Sequence, residues 1–335
     1  MSEIDPEKSD EAGIARVLRA AGGRANPSED MKAAVRAAVH AEWRATVAKR
    51  RGRQRIGLAA AASVVIAITG FWLGRPFFAP PGDVVASVSR SIGEVQSREG
   101  GWGRWQTATS TQALRAGEEV VTGADGRVAL QLRDGVSLRL DHDTRVAFVD
   151  AGRVDVRWGA VYVDAGTTAG TSEHLQVGTP AGVVRHVGTQ YEARIVSRGT
   201  RIRVREGRID LVPVGAGSQS ASVGEQLLVS ESGHIERGSI APGDAEWNWA
   251  VSTAPAFDIN GRPVREFLTW VGRELGREVV FATPESEAEA DRAVLSGSVA
   301  GLAPAEALAA VLPTTRLRDV ERDGKIEVSL QAGER

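Results

Sequence analysis

Residues 128–140 read VALQLRDGVSLRL, and the reading of this stretch decides the fold. Val128, Leu130 and Leu132 alternate with other residues, and so do Val136, Leu138 and Leu140. Such a period of two marks a half-buried strand. Between the two runs lies Arg133-Asp134-Gly135. A two-residue Asp-Gly turn would set Leu132 opposite Ser137 and split the apolar faces. A three-residue loop with Gly135 left-handed sets Leu132 opposite Val136 and Leu130 opposite Leu138. A slip of one residue moves every side chain to the other face, so the register that buries one face is expected.

The same period recurs on both sides of this hairpin. Val146/Phe148, Val154/Val156/Trp158, Val161/Val163 and Tyr191/Ala193/Ile195 alternate. Glu206-Gly207 reads as a two-residue hairpin loop that pairs Val204 with Ile209 and Ile202 with Leu211. Turn signals recur about every 8–12 residues, which predicts an all-β antiparallel domain, sandwich or barrel over residues 84–240. Asp244 to Ala256 reads as a linker carrying Trp247 and Trp249. The period then changes. Val264, Phe267, Leu268, Val271 and Leu275 follow helical spacing, with Pro263 at the start and Gly276 as the stop. Strands are expected at Phe257 to Ile259, Val279 to Phe281 and Val294 to Val299. A second helix opens at Pro304 with Leu308, Val311 and Leu312 inward. A last strand pair meets across Arg322-Asp323-Gly324. The order is β-α-β-β-α-β(β), a small α+β (βαββαβ) C-terminal domain over residues 257–331.

Toward the N-terminus, residues 56–74 (IGLAAAASVVIAITGFWLG) carry no charge. A 19-residue helix is about 28 Å long at 1.5 Å per residue, close to the roughly 30 Å hydrocarbon core. Lys49-Arg50-Arg51-Gly52-Arg53-Gln54-Arg55 precedes the run and only Arg75 follows closely. The positive-inside rule then places residues 1–55 in the cytoplasm and the bulk outside it. A cleaved signal peptide is a rival that would need a charged leader of more than 50 residues; a buried soluble helix is another. Within residues 1–55, Ile14, Val17, Leu18 and Ala21 form one apolar stripe. Ser28 caps a second helix, whose apolar side is Met31, Val35, Val39 and Trp43. Two short helices bury too little to fold firmly alone. Val35, Val39 and Trp43 are therefore candidate partner-binding residues, a solvated tether being the plain alternative. Trp102, Trp105, Trp247 and Trp249 are candidate interface anchors, with ordinary packing as their other reading.

Composition excludes several function classes. The 335 residues include no cysteine, which removes disulfides, thiolate catalysis and Cys-ligated metal. A net charge of -2 implies no nucleic-acid-binding surface. The five histidines are not spaced as a metal pair on a helix, and Asp141-His142-Asp143 reads as turn chemistry before Thr144. No phosphate loop, nucleophile elbow or zinc-protease motif is present. The expectation is a protein that is not an enzyme, with no catalytic, cofactor-binding or metal residues.

An ordered series of short elements resembles the FecR domain over roughly residues 84–235. It comprises 128–140, the Asp141 to Thr144 turn, Arg153-Val154, Gly159-Ala160-Val161-Tyr162-Val163, Val177-Gly178-Thr179-Pro180, Val187-Gly188-Thr189-Gln190-Tyr191, Val204-Arg205-Glu206-Gly207-Arg208-Ile209 and Val223-Gly224-Glu225-Gln226. The C-terminal region resembles the secretin/TonB short N-terminal (STN) module. The resemblance implies a single-pass inner-membrane regulator of the bacterial envelope. Its cytoplasmic segment would bind an extracytoplasmic-function sigma factor. Its periplasmic part would sense the signalling domain of a TonB-dependent outer-membrane receptor, in the family often one for ferric chelates. The N-terminal segment departs from the family pattern by having Trp43 alone. A membrane-anchored binding or structural module of the envelope, with no sigma-factor role, remains the alternative.

Overall fold

The computed structural model describes residues 16, 17, 19, 20, 28–37, 39, 82–166, 175–213 and 217–331. The expected spanning segment 56–74, its basic flank and Trp43 lie outside the described residues. No helix among the described residues is long and apolar enough to cross a membrane.

In the N-terminal part, residues 29–37 are helical. Ser28 caps them as expected, its Oγ accepting from the Met31 N–H at 3.3 Å. Among the described residues nothing covers the stripe of this helix: Met31, Val35 and Val39 are 58, 58 and 61% exposed.

The rest opens with a run of strands: β1 (Val84–Ile92), β2 (Val95–Arg98), β3 (Gln106–Thr107), β4 (Ala113–Arg115), β5 (Glu119–Thr122) and β6 (Arg127–Leu132). Then come β7 (Ser137–Leu140), β8 (Arg145–Asp150), β9 (Arg153–Trp158), β10 (Ala160–Asp164) and β11 (Gln176–Thr179). The two longest follow, β12 (Gly182–Val196) and β13 (Gly199–Pro213), with β14 (Gln219–Ser222), β15 (Glu225–Val229) and β16 (Ile235–Ser239) behind them. All sixteen join one sheet. It curls around a single apolar core running from Val85 to Val229. The β6–β7 register is the expected one. Leu130 faces Leu138, the Leu132 N–H donates to the Val136 carbonyl at 2.8 Å, and Gly135 has φ +86°. Leu130 and Leu138 are wholly buried, and burying such a side chain contributes about 1.5–3 kcal/mol.

Two expectations need correction here. Glu206-Gly207 is not a hairpin loop: β13 runs straight through it, and Val204 faces Tyr191 while Ile209 faces His186. The Gly pair is a bulge matched by another in β12, with Gly207 at φ +74° and Gly188 at φ +55°. A Cβ on Gly207 would lie 2.6 Å from the Gly188 carbonyl oxygen. A Glu-Gly pair serves a tight turn or a bulge equally well, and only the partner strand distinguishes them. The sheet is also not purely antiparallel, since β11 pairs β9 in parallel.

The C-terminal part is α+β, but its order differs from the expected one. Helices α1 (Asn248–Ser252), α2 (Val264–Leu275), α3 (Pro284–Arg292) and α4 (Pro304–Val311) accompany β17 (Val279–Phe281), β18 (Leu317–Arg322) and β19 (Lys325–Leu330). The three strands form a separate sheet in the order β17-β19-β18, with β17 parallel and β18 antiparallel to β19. Val264, Phe267, Leu268 and Val271 of α2 point into its core, as the spacing predicts. Phe257 to Ile259 is not a strand; Phe257 stacks on Trp270 at 5.6 Å instead. Val294 to Val299 makes one isolated bridge, to Pro263, and Gly297 at φ +114° ends any ladder there. Helix α3 was not expected. Its sequence, PESEAEADR, has no apolar stripe, and it rests on caps. The Thr283 Oγ1 accepts from the Ser286 N–H, and the Ser286 Oγ from the Thr283 N–H, both at 3.2 Å.

Gly276 ends α2 with φ +64° and sits against the backbone before the 244–256 segment, where a Cβ would lie 2.1 Å from the Pro242 carbonyl oxygen. Gly261 has a similar φ of +76° and open space around it. Gly261→Ala is expected to cost only the left-handed conformation, about 1–2 kcal/mol. Gly276→Ala costs that plus the displacement of α2 from Pro242. Urea midpoints of the two variants measure the difference, and equal midpoints would show that the contact carries no weight.

Candidate functional site

The polar residues of the strands show where the two parts of this body meet. In β7 and β10 every residue is buried, on both faces. One face (Leu138, Leu140, Val161, Val163) belongs to the main core. The other carries Arg139, Tyr162 and Asp164. Strand pairing aligns that face into two rows. Arg139 is opposite Tyr162, Tyr162 opposite Glu192, Glu192 opposite Arg203 and Arg203 opposite Gln226. Beside it Ser137, Asp164, Gln190 and Glu206 follow one another across the same strands.

Residues 244–276 cover these rows. The segment expected to be a linker is a short 3-10 turn (Ala245–Trp247) followed by α1, capped by the Asp244 carboxylate. Arg139 donates to both oxygens of Glu274 in α2, at 2.7 and 2.6 Å, and to the Ala250 carbonyl at 2.9 Å. Arg273 reaches Asp164 at 2.6 Å and Glu206 at 2.9 Å. Arg205 donates to the Pro242 carbonyl at 2.7 Å. Glu192 accepts from the Trp249 indole at 3.0 Å, from Arg194 at 3.1 Å and from Arg201 at 3.2 Å. On the far side Arg90 of β1 donates to the carbonyls of Ala254, Leu302 and Gly301 at 3.2 Å each. A small apolar cluster of Tyr162, Ile240, Trp247, Ala250 and Val251 seals the middle.

The electrostatics follow from burial and pairing. Burial drives the Asp164 carboxyl up, but Arg273 and Arg139 outweigh it and leave it below the usual carboxylate range. Burial likewise opposes the Arg139 charge, and Glu274 overcomes it, so Arg139 stays protonated. Burial raises the Tyr162 phenol against the pull of Arg205 and Arg139. Arg139, Asp164 and Arg273 are therefore each held ionised by partners of opposite sign, which suits a lock between two bodies rather than proton transfer.

The sequence-expected residues fall in different places. Trp247 and Trp249 are in this seam. Trp247 is fully buried, its ring 5.9 Å from Tyr162 and its N–H on the Ala241 carbonyl at 2.9 Å. Trp249 lies edge-on to Tyr162 at 6.4 Å, under Arg194 at 5.5 Å. Trp105 is elsewhere, between the guanidinium groups of Arg98 and Arg145 at 4.6 and 5.3 Å. Trp102 is 97% exposed. Val35 and Val39 lie on the bare stripe of the N-terminal helix. Asp141 makes the expected turn and also binds Arg127 at 2.9 Å and Arg194 at 2.6 Å. No group of acidic and histidine residues among the described residues is arranged to hold a metal ion.

His186 stands apart. It is 3% exposed, in the main core opposite Ile209, and neither ring nitrogen has a hydrogen-bond partner among the described residues. Burial pushes its pKa down, with the Asp134 carboxylate opposing. The folded value is below the unfolded one of about 6.5. Stability from this group is therefore present above about pH 6.5 and lost as the pH falls through the folded value. We expect His186→Leu to flatten the decline in urea midpoint between about pH 6.5 and 5. An unchanged decline would assign it to other groups.

Of the comparisons with known proteins, the family match falls on the same strands. No curated protein matches the chain. Two crystal structures of a candidate anti-sigma factor from Parabacteroides distasonis ATCC 8503, at 2.50 and 1.65 Å resolution, are each 15% identical. Each alignment covers 64% of this chain and 99% of the other, with a TM-score of 0.35. Residues 118–210, which run from β5 into β13 and carry most of the two polar rows, match the family described as FecR protein.

Proposed function

We propose that this chain is a FecR-like, non-enzymatic signal regulator that crosses the inner membrane once. Residues 1–55 would lie in the cytoplasm and bind an extracytoplasmic-function sigma factor through Val35, Val39 and Trp43. Residues 56–74 would span the membrane, and the β domain with its STN-like C-terminal part would face the periplasm, where the signalling domain of a TonB-dependent receptor docks. Iron uptake is one system such a receptor serves. The observation that carries this reading is the FecR match over 118–210. The uncharged run with its basic N-terminal flank supports the topology, and the bare Met31-Val35-Val39 stripe supports a helix waiting for a partner.

Under this reading the seam passes the signal. A partner that binds the C-terminal part has two ways to act: it stabilises the docked arrangement or draws α2 off the sheet. It shifts the balance only by binding the two arrangements unequally. The test is co-purification of the full chain, extracted from membranes, with each sigma factor of the host. One factor is expected to be retained, and lost with Val39→Asp or Trp43→Ala. Retention of none would remove the sigma-factor role and leave the envelope-module alternative.

A further inference from the structure

The C-terminal sheet ends in an open strand. β18 pairs β19 on one side, and nothing pairs its other edge among the described residues. The hairpin joining them turns on Asp323 and Gly324, both with positive φ (+50° and +73°), a two-residue turn of type I′. Such a turn closes on a hydrogen-bonded pair, here Arg322 and Lys325. Hydrogen-bonded pairs then alternate down the ladder: Val320 with Glu327, Arg318 with Ser329, and finally Arg316, whose carbonyl accepts from the Gln331 N–H at 2.8 Å. The backbone N–H and C=O of Asp319 and Glu321 consequently point away from the sheet. Every residue of β18 after Leu317 is exposed.

The charges on this edge reject one occupant and describe another. Two antiparallel copies of β18 would be related by a two-fold axis normal to the sheet, so residues of the same face must meet. Centred on Val320, that pairing sets Arg318 against Arg322 and Asp319 against Glu321. Centred on Asp319 or Glu321, it sets a carboxylate against itself. Like charges directly opposite each other are destabilising in a sheet, and charged edges are how native sheets refuse self-pairing. A second copy of this chain is therefore excluded from the edge by its own sequence.

We propose that the β18 edge is a docking site for an extended strand of another protein, one carrying the inverse pattern: acidic, basic, apolar, basic and acidic opposite Arg318, Asp319, Val320, Glu321 and Arg322. The backbone of Asp319 and Glu321 supplies main-chain hydrogen bonds, and the alternating charges supply selectivity. Arg318 and Asp319 are free to answer, since among the described residues Arg318 meets only the Ser329 hydroxyl at 3.0 Å and Asp319 has no charged partner. Glu321 already holds Arg277 at 2.6 Å, and Arg322 holds Glu327 at 3.1 Å, so the ends of the site exchange partners on binding. The pattern is the same read in either direction, so charge leaves the strand's polarity open. That this strand belongs to a periplasmic receptor rests on the proposed function; the existence of the site does not.

The test titrates the full chain into two fluorescein-labelled peptides, TEKVKET and the charge-inverted TKEVEKT, and reads anisotropy. We expect the first to bind at least tenfold more tightly. Arg318→Glu with Arg322→Glu leaves two matched and two opposed charges against either peptide and should abolish the preference. Asp319→Pro removes an outward N–H and none of the β18–β19 ladder, a position where an edge strand tolerates proline; it should weaken the first peptide at least tenfold with an unchanged thermal midpoint. Equal affinity for both peptides, binding of neither, or indifference to Asp319→Pro with the midpoint unchanged would each overturn the proposal. Should Asp319→Pro lower the midpoint, the Arg318→Glu, Arg322→Glu variant decides alone: loss of the preference supports the site and a retained preference overturns it. Peptide binding without a sigma-factor partner would instead overturn the regulator reading and leave the site standing.

Discussion

Glu274→Gln should lower the stability of the β domain and its C-terminal part together by roughly 3–5 kcal/mol, the range for removing one member of a buried ion pair. The reason is the guanidinium left behind. Arg139 has no route to water: its side chain is 1% exposed, and Asp164 at 3.7 Å is already engaged by Arg273. Replacing the pair together is a different experiment. Arg139→Met with Glu274→Leu removes both charges and both desolvation costs, so most of the loss should return. Denaturant midpoints for the two single variants and the double variant close the cycle. If the double variant is as unstable as either single one, the pair is doing something other than offsetting its own burial.

Trp247→Ala should cost about 3–5 kcal/mol, as for other buried large aromatic residues. Its indole fills the centre of the seam against Tyr162 and Ala250, and the cavity it leaves is walled by Arg205 and Tyr162, which have no freedom to collapse. Trp102→Ala, by contrast, should stay within about 0.5 kcal/mol of the parent, as exposed positions usually do. Sequence alone gave these two tryptophans one role. Chemical denaturation separates them, and a large effect at Trp102 would mean that its loop packs on something not described above. Limited proteolysis adds a second readout for Trp247→Ala, since a loosened seam exposes the 244–256 segment to cleavage.

Legibility in the sequence followed physical cause closely. Strand and helix periods were readable because burial of one face imposes them, as in 128–140 and in Val264 to Val271. The seam was not readable by that route. Arg139, Tyr162, Asp164 and Glu192 occupy the outward positions of their strands, and alternation says only that those positions are not in the main core. What covers them is a property of a segment about a hundred residues away in the chain. A signal did exist: once the β6–β7 register is set and extended through β10 and β12, the outward row brings the large aromatic Tyr162 between Arg139 and Glu192, which an open solvated face does not require. Helix α3 was missed because its apolar contribution is small and its caps do the work. The Glu206-Gly207 bulge was missed because a Gly at positive φ looks alike in a turn and in a bent strand.

Arg139 and Glu274 lie 135 residues apart in the chain, and that spacing fixes an order of events. Neither charge gains by leaving water until the other is in place, so the pair cannot help the chain collapse. The loop entropy is spent first, on the strand pairings and on the small C-terminal core, and the ion pair closes last as two finished bodies meet. Its strength then acts on the way out: an interaction absent from the folding transition state slows unfolding and leaves folding almost untouched. The lifetime of the docked state, more than its depth, is what Arg139 and Glu274 set.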